Sequence, residues 1–288
     1  MYKNLSAGAI GIRGAALAET LRIARETGFA GVDFDIREAA ALVDSQGLDY
    51  VHDLFAAVGV RPGQWGLPVA WRDEERWEED LAALPKLAAV GQALGCTRTA
   101  TWCPPASDDR PYGENFAWHV ARYRPIAEVL ADFGCRFGIE FIGPQTLRRG
   151  HRYPFIHTLG GMMDLAAAIG TGNVGLLLDA WHLYTSGGSL DDLDTITADD
   201  IVTVHVNDAP AGVALEDQID NVRAQPMETG VIDLPGFVRK LAALNYDGPV
   251  TAEPFSEPLN ALAARDPMAA ARRTSEALDR MLSAAGLG

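Results

Sequence analysis

Four residues able to hold a metal ion or move a proton sit at the ends of four successive apolar runs: Glu140 in Phe-Gly-Ile-Glu-Phe, Asp179 in Gly-Leu-Leu-Leu-Asp, His205 in Val-Thr-Val-His-Val and Glu253 in Val-Thr-Ala-Glu-Pro. Each alone has an ordinary reading. An Asp at a strand end is usually a turn former or helix cap, and a His in an apolar run is usually a satisfied core group. Four together are harder to dismiss. Burying an unpaired carboxylate costs several kcal/mol or forces it to take up a proton. Three carboxylates converging with one imidazole call for a cation, and such an oxygen-and-nitrogen donor set suits one divalent metal ion.

The runs must be brought to one face of the molecule. Along the 288 residues, short β-type runs alternate with longer helical ones. Strands are expected to begin near Leu5, Gly31, Gly59, Arg98, Arg136, Val174, Ile201 and Pro249, a spacing that leaves room for a helix after each. Helical periodicity is read over Ala15 to Thr27, Glu74 to Leu94, Asn115 to Phe133, Leu234 to Leu244 and Pro267 to Leu282. Eight β/α units predict an α/β fold, a (β/α)8 TIM barrel, with residues 1–288 forming a single domain. No Gly-x-Gly-x-x-Gly follows the first strand, which removes the main support for a dinucleotide-binding sheet.

Barrel chemistry gathers at the C-terminal ends of the strands. The second strand ends at Asp33 and Asp35. The third leads into Gln64, Trp65, Trp71 and Arg72, and the fourth ends at Trp102. His182 lies three residues past Asp179. Trp65, Trp71, Trp102, Phe141 and Trp181 fall at or beyond strand ends and could pack against the C–H face of a polyol; Trp65 and Trp102 are taken as substrate-binding candidates. A basic loop carries Arg148, Arg149 and Arg152 with His151 and His157. It could recognise a phosphate or carboxylate, pair with the protein's own acids, or lie solvated.

Composition narrows the partners. A formal net charge of −15 is unfavourable for nucleic acid or an anionic membrane. No apolar stretch has the length of a membrane span, and the first residues lack a secretory h-region. Cys96, Cys103 and Cys135 are odd in number and irregularly spaced. They read as reduced, buried thiols of a cytoplasmic protein.

Four phrases carry a family resemblance: Gly-Ile-Glu140-Phe, Leu-Leu-Leu-Asp179-Ala-Trp-His182, Val-His205-Val-Asn-Asp208 and Thr-Ala-Glu253-Pro. Over nearly its whole length the chain resembles the xylose isomerase-like barrels, the sugar phosphate isomerases/epimerases that include ketose 3-epimerases, hydroxypyruvate isomerases and inosose dehydratases. The resemblance implies one divalent ion, Mn2+ or Mg2+ first and Zn2+, Co2+ or Fe2+ after them, held by Glu140, Asp179, His205 and Glu253. It implies Glu140 and Glu253 as the acid/base pair and His182 and Arg223 as substrate contacts. It also implies a homo-oligomer, a dimer or tetramer. The chain departs from the pattern in a longer stretch between His205 and Arg223. It also has no acid in Phe-Ile-Gly-Pro-Gln-Thr-Leu after Glu140, where ketose 3-epimerases carry one.

The expected activity is therefore isomerisation or epimerisation of a sugar or sugar-derived hydroxy-ketone by proton transfer alpha to a carbonyl. The alternative on the same frame is a metal-dependent lyase, an inosose or dehydroshikimate-type dehydratase. A non-catalytic sugar-binding protein would be expected to lose one of the four residues. An apurinic-site endonuclease would need more histidines and a less acidic surface.

Overall fold

The computed structural model describes residues 1–288. Eight parallel strands close into a barrel: β1 (Tyr2–Leu5), β2 (Gly31–Phe34), β3 (Arg61–Gly66), β4 (Arg98–Cys103), β5 (Arg136–Phe141), β6 (Val174–Asp179), β7 (Ile201–Val206) and β8 (Pro249–Ala252). Each pairs with its neighbour in sequence, and β1 pairs with β8 to shut the ring. The runs are apolar because both faces are covered, by barrel interior and by helices. β7 is buried at all of its positions.

The expected strands are all present, with two shifted starts. β1 ends at Leu5 rather than beginning there. Its polar residues Lys3 and Asn4 pair with Val250 and Thr251, so the strand begins before its apolar signal does. β3 begins at Arg61. Gly59 is instead the left-handed cap, φ 64°, of the helix before it.

Around the barrel run α1 (Leu17–Glu26), α2 (Ile36–Gln46), α3 (Leu48–Val58), α4 (Trp77–Ala93), α5 (Tyr112–Asp132), α6 (Leu159–Ile169), α7 (Ala180–Thr185), α8 (Leu234–Ala243), α9 (Glu257–Ala263) and α10 (Pro267–Ala284). Local chemistry sets several starts. Asp35, Thr158, Asp233 and Asp266 each accept a backbone N–H in the first turn of the helix that follows, which relieves the orphaned donors of a helix N-terminus. α8 and α10 also carry proline in that first turn, where its missing N–H is harmless. The periodic segments read from sequence match α1, α4, α5, α8 and α10 to within three residues at each end. One continuous apolar cluster runs from the barrel into the helix layer. No helix is long and apolar enough to cross a membrane.

Two features at the C-terminal face matter for the site. A short antiparallel ribbon, Ala106–Ser107 with Tyr153–Pro154, ties the loop after β4 to the loop after β5. The long connection from β7 to α8 is anchored by Asp208. Its Oδ1 accepts the backbone N–H of Ala209 (2.9 Å) and Ile232 (3.0 Å), and its Oδ2 those of Thr229 (3.0 Å) and Gly230 (2.7 Å). A backbone bridge between Asp208 and Ala224 fixes the middle of the same connection, next to Arg223.

Candidate metal centre

Strand register alone brings the quartet together. Asp179 ends β6 opposite His205 on β7, and His205 lies opposite Thr251 on β8, two residues before Glu253. Glu140, next to last on β5, completes the arc. One ligand atom from each of Glu140, Asp179, His205 and Glu253 falls within 4.8 Å of the others. His205 Nδ1 lies 3.4 Å from Glu253 Oε2 and 3.9 Å from Glu140 Oε1.

The donor set fits a cation. Glu140 Oε1 and His205 Nδ1 are buried and have no hydrogen-bond partner in the protein. Buried polar atoms are rarely left unpaired, and here two of them face the same point. Asp179 is oriented by its neighbours. Its Oδ1 accepts Trp181 N–H at 2.8 Å, as cap of α7, and the Asn207 side-chain amide at 3.2 Å.

A guanidinium provides part of the missing positive charge. Arg223 donates to Asp179 Oδ2 at 2.8 Å, to Glu253 Oε2 at 3.3 Å and to Asp220 Oδ1 at 2.8 Å. The family resemblance makes Arg223 a substrate contact. It reaches the cavity, but it is held by the Asp220 backbone carbonyl at 2.7 Å and by carboxylates of the site itself.

The electrostatics follow from burial opposed by close charges. Burial, then Glu253 and Asp179, holds the Glu140 carboxyl well above the usual carboxylate range. Burial also raises Asp179, against the pull of Arg223 and His205. Burial alone would lower the His205 imidazole, but Glu253, Glu140 and Asp179 outweigh it and lift it to about 10. Burial would raise Glu253, yet His205 and Arg223 bring it below its ordinary value.

His182 is placed for a different task. Its Nδ1 accepts the backbone N–H of Gly143 at 3.1 Å. Burial, then Arg223 and His205, holds its pKa well below the ordinary value, so the ring is neutral. A neutral ring that accepts at Nδ1 carries its proton on Nε2. That Nε2 lies 3.7 Å from both Glu140 Oε1 and Asp220 Oδ1, and the residue lines the cavity above the quartet. Gly143 is required here, because a Cβ would collide with the His182 carbonyl and with Thr185 Oγ1.

Behind His205, the barrel interior is polar. Gln64 Nε2 lies 3.5 Å from His205 Nε2 and donates to Asp33 Oδ2 at 3.2 Å, while Asn4 Nδ2 donates to Asp33 Oδ1 at 2.5 Å and to Thr251 Oγ1 at 2.9 Å. Burial raises Asp33 to about 6 against these donors and the nearby His205.

The cavity over the quartet measures about 520 Å³, and Glu140, His182, Arg223 and Glu253 line it. Of the aromatic candidates, Trp102 is at its mouth and 44% exposed. Trp65 is not. It is fully buried, and its indole N–H donates to the Cys96 carbonyl at 3.0 Å. Side chains alternate along a strand, so with Gln64 facing the barrel interior Trp65 must face the helix layer. Trp71, Phe141 and Trp181 are buried too. Phe255, which no sequence pattern singles out, lines the cavity instead.

The arginines of the basic loop do not converge on the cavity, although His151 lines it. Arg148 donates to the Gly143 carbonyl, Arg149 pairs with Asp217, and Arg152 lies over the Tyr153 ring. Asp220 escapes sequence reasoning because it sits in an aperiodic connection. Its chemistry emerges only when the chain folds it onto Arg223. The three cysteines are buried and free.

Residues 9–281 match the family model described as xylose isomerase-like TIM barrel. A xylose isomerase domain protein from Alicyclobacillus acidocaldarius subsp. acidocaldarius is 31% identical; its structure superposes with a TM-score of 0.87, covering 99% of both chains. The crystal structure of an IOLI protein with a binding zinc atom shares the fold, with a TM-score of 0.78, 16% identity, and coverage of 99% of this chain and 98% of that one. An inosose isomerase from Halalkalibacterium halodurans is 26% identical over 153 residues, which is 52% of this chain and 50% of that protein. The chain thus spans about half the length of that curated relative.

Proposed function

The chain belongs to the xylose isomerase-like TIM barrel family, and from that premise we propose that it is a divalent-metal-dependent isomerase or epimerase of a sugar or sugar-derived hydroxy-ketone. The observation that carries this reading is the convergence of four ligand atoms within 4.8 Å at the base of a cavity sized for a small polyol. The unpartnered Glu140 Oε1 and His205 Nδ1 add to it.

Glu140, Asp179, His205 and Glu253 would hold the ion. Three carboxylates and one imidazole suit Mn2+ or Mg2+, and a protein of the same fold, the IOLI protein, was crystallised with a binding zinc atom. When bound, the ion would polarise a substrate carbonyl and stabilise the negative charge that develops on its oxygen.

The remaining chemistry falls to the chain. One of Glu140 and Glu253 takes the proton alpha to the carbonyl, and the other returns a proton to the neighbouring carbon or to the opposite face. The neutral His182 presents Nε2–H to a substrate oxygen. Arg223, which donates to Asp220, forms the wall beside it and holds the reacting carbon in place. Trp102 and Phe255 offer apolar faces at the mouth.

The test is a panel of ketoses, aldoses, inososes and 3-keto-sugars with the manganese-loaded protein in heavy water, read by chromatography and mass. The expected result is an isomeric product with deuterium at one carbon. An unlabelled product, as direct hydride transfer would give, overturns the proton-transfer route. A product absorbing in the near ultraviolet would instead mark loss of water and transfer the protein to the lyases.

A further inference from the structure

A second cavity of about 420 Å³ lies beside the first, and Arg72, Pro104, Ala106 and His151 line both. Its inner wall is the first two turns of α5, including Asn115, Trp118 and His119. None of the quartet reaches it.

His119 is the unexplained group. It is 2% exposed, and Phe155 stacks on it at 4.8 Å with Trp71, Trp118 and Tyr123 packed around it. Its Nδ1 lies 2.7 Å from the Asn115 carbonyl, which can only accept, so Nδ1 carries the proton. Burial outweighs the Asn115 hydrogen bond and brings its pKa down to about 4, with Arg110 and Arg72 pressing the same way as burial. The ring is therefore neutral, and Nε2 is an acceptor. No group of the protein donates to it. A rigid, buried acceptor left unpaired on a cavity wall is unusual in a folded chain.

Two guanidinium groups line the same space. Arg72 lies over the Trp102 ring at 5.3 Å and Arg110 over the Trp118 ring at 4.4 Å. Neither side chain forms an ion pair or a hydrogen bond within the protein, so their N–H edges are free. Other charged groups on the wall are engaged. Glu74 is paired with Arg122, and Asp108 accepts from His151 at 2.9 Å and from the Arg152 backbone at 2.8 Å. Asp109 stands exposed. In a chain of net charge −15, two unpaired guanidinium groups on one cavity wall offset the Asp108 and Asp109 carboxylates that share it.

We propose that this second cavity is a subsite for the far end of the substrate, an oxyanion held by Arg72 and Arg110 with an adjacent hydroxyl donating to His119 Nε2. The proposal rests on the reading above, since the other end of the same molecule occupies the metal cavity. The substrate is then a polyhydroxylated carbonyl compound that ends in a carboxylate or a phosphate. Guanidinium groups match both oxyanions in shape and charge, and a neutral imidazole adds selectivity for a hydroxyl beside them.

The experiment measures binding, not turnover. The full-length, magnesium-loaded protein is titrated with methyl phosphate and with propionate, by phosphorus or proton line broadening. At least one probe should bind, and the tighter one identifies the natural group. The double substitution Arg72→Gln, Arg110→Gln should weaken it at least about tenfold, the scale of removing one charge-assisted hydrogen bond. Glycerol 3-phosphate should bind more tightly than propyl phosphate, and His119→Phe, which suits the aromatic nest, should abolish that advantage. Failure of both probes to bind overturns the proposal. So does a folded double variant that binds as the wild type does, which would put the anion on the metal or elsewhere. A chain that isomerises nothing could still pass this test, and one active on neutral sugars could still fail it.

Discussion

Metal binding at this site should release protons. In the metal-free cluster the three carboxylates lift the His205 imidazole to about 10, against its burial. Nδ1 faces Glu140 and Glu253, and a metal ligand at that nitrogen must have lost its proton. At pH 7 that loss costs about 4 kcal/mol, from roughly three pH units at about 1.4 kcal/mol each. The apparent affinity at pH 7 should then be about a thousandfold below its value above pH 10, climbing about tenfold per pH unit. Glu140, held well above the usual carboxylate range by burial and by Glu253 and Asp179, contributes a second proton wherever it is still protonated. Calorimetry of manganese binding at pH 7, in non-chelating buffers of different ionisation enthalpy, should give a slope of about one to two protons released. Stability of the metal-free chain follows the same signs. The raised His205 stabilises the fold fully below about 6.5, and the contribution is lost as pH rises through about 10. The lowered Glu253 acts in the opposite sense, present above its ordinary value and lost as pH falls. The metal-free Tm should decline from pH 7 to 10, and the manganese-loaded Tm should not follow it. A buffer-independent binding enthalpy together with a pH-independent affinity would refute the reasoning.

Replacing Asp208 with Ala strips four backbone N–H groups of their acceptor. The expected loss is about 4 kcal/mol, or about 7 °C in Tm for a chain of this length, checked by thermal melts; a shift under about 2 °C would count against the clamp. Glu140→Gln should lower turnover at least about a hundredfold and lower the metal-free Tm less than Glu253→Gln does, because burial holds the Glu140 carboxyl well above the usual carboxylate range and Glu253 acts more strongly on His205. Glu253→Gln should likewise lower turnover, and should also weaken the hold on His205 and Arg223, seen as a lower metal-free Tm. Burial pushes Cys96 up to about 12 and Cys135 up to about 11, and raises Cys103 as well. A thiol reagent at pH 8 should therefore label none of the three in the native protein and all of them after unfolding.

The quartet was legible because charged residues are rare inside apolar runs, and because strand ends in a barrel share one face. Its geometry needed only register, which the regular β/α spacing implies. Trp65 misled because a residue near a strand end can face either way. The parity was decided by Gln64, whose amide turns inward toward His205. Asp208 and Asp220 lie in a connection without periodicity, and no local pattern shows that one clamps backbone while the other meets Arg223. His119 reads as an ordinary helical histidine. Its isolation appears only once Phe155 and Trp71 are packed around it. Gly47 splits what would otherwise be one long helix into α2 and α3 through φ 92°, a conformation open to glycine.

The pairing of β1 with β8 joins residues nearly a full chain length apart, Tyr2 with Pro249 and Asn4 with Thr251. A contact order this high slows folding, since ring closure must wait for the most distant partners to meet. On the ribosome, β1 would emerge long before β8 and remain without that partner until about 245 further residues had been made. Glu253 follows that partner directly, so the cation-binding pocket would be among the last parts to assemble, and metal capture would come after the barrel has closed.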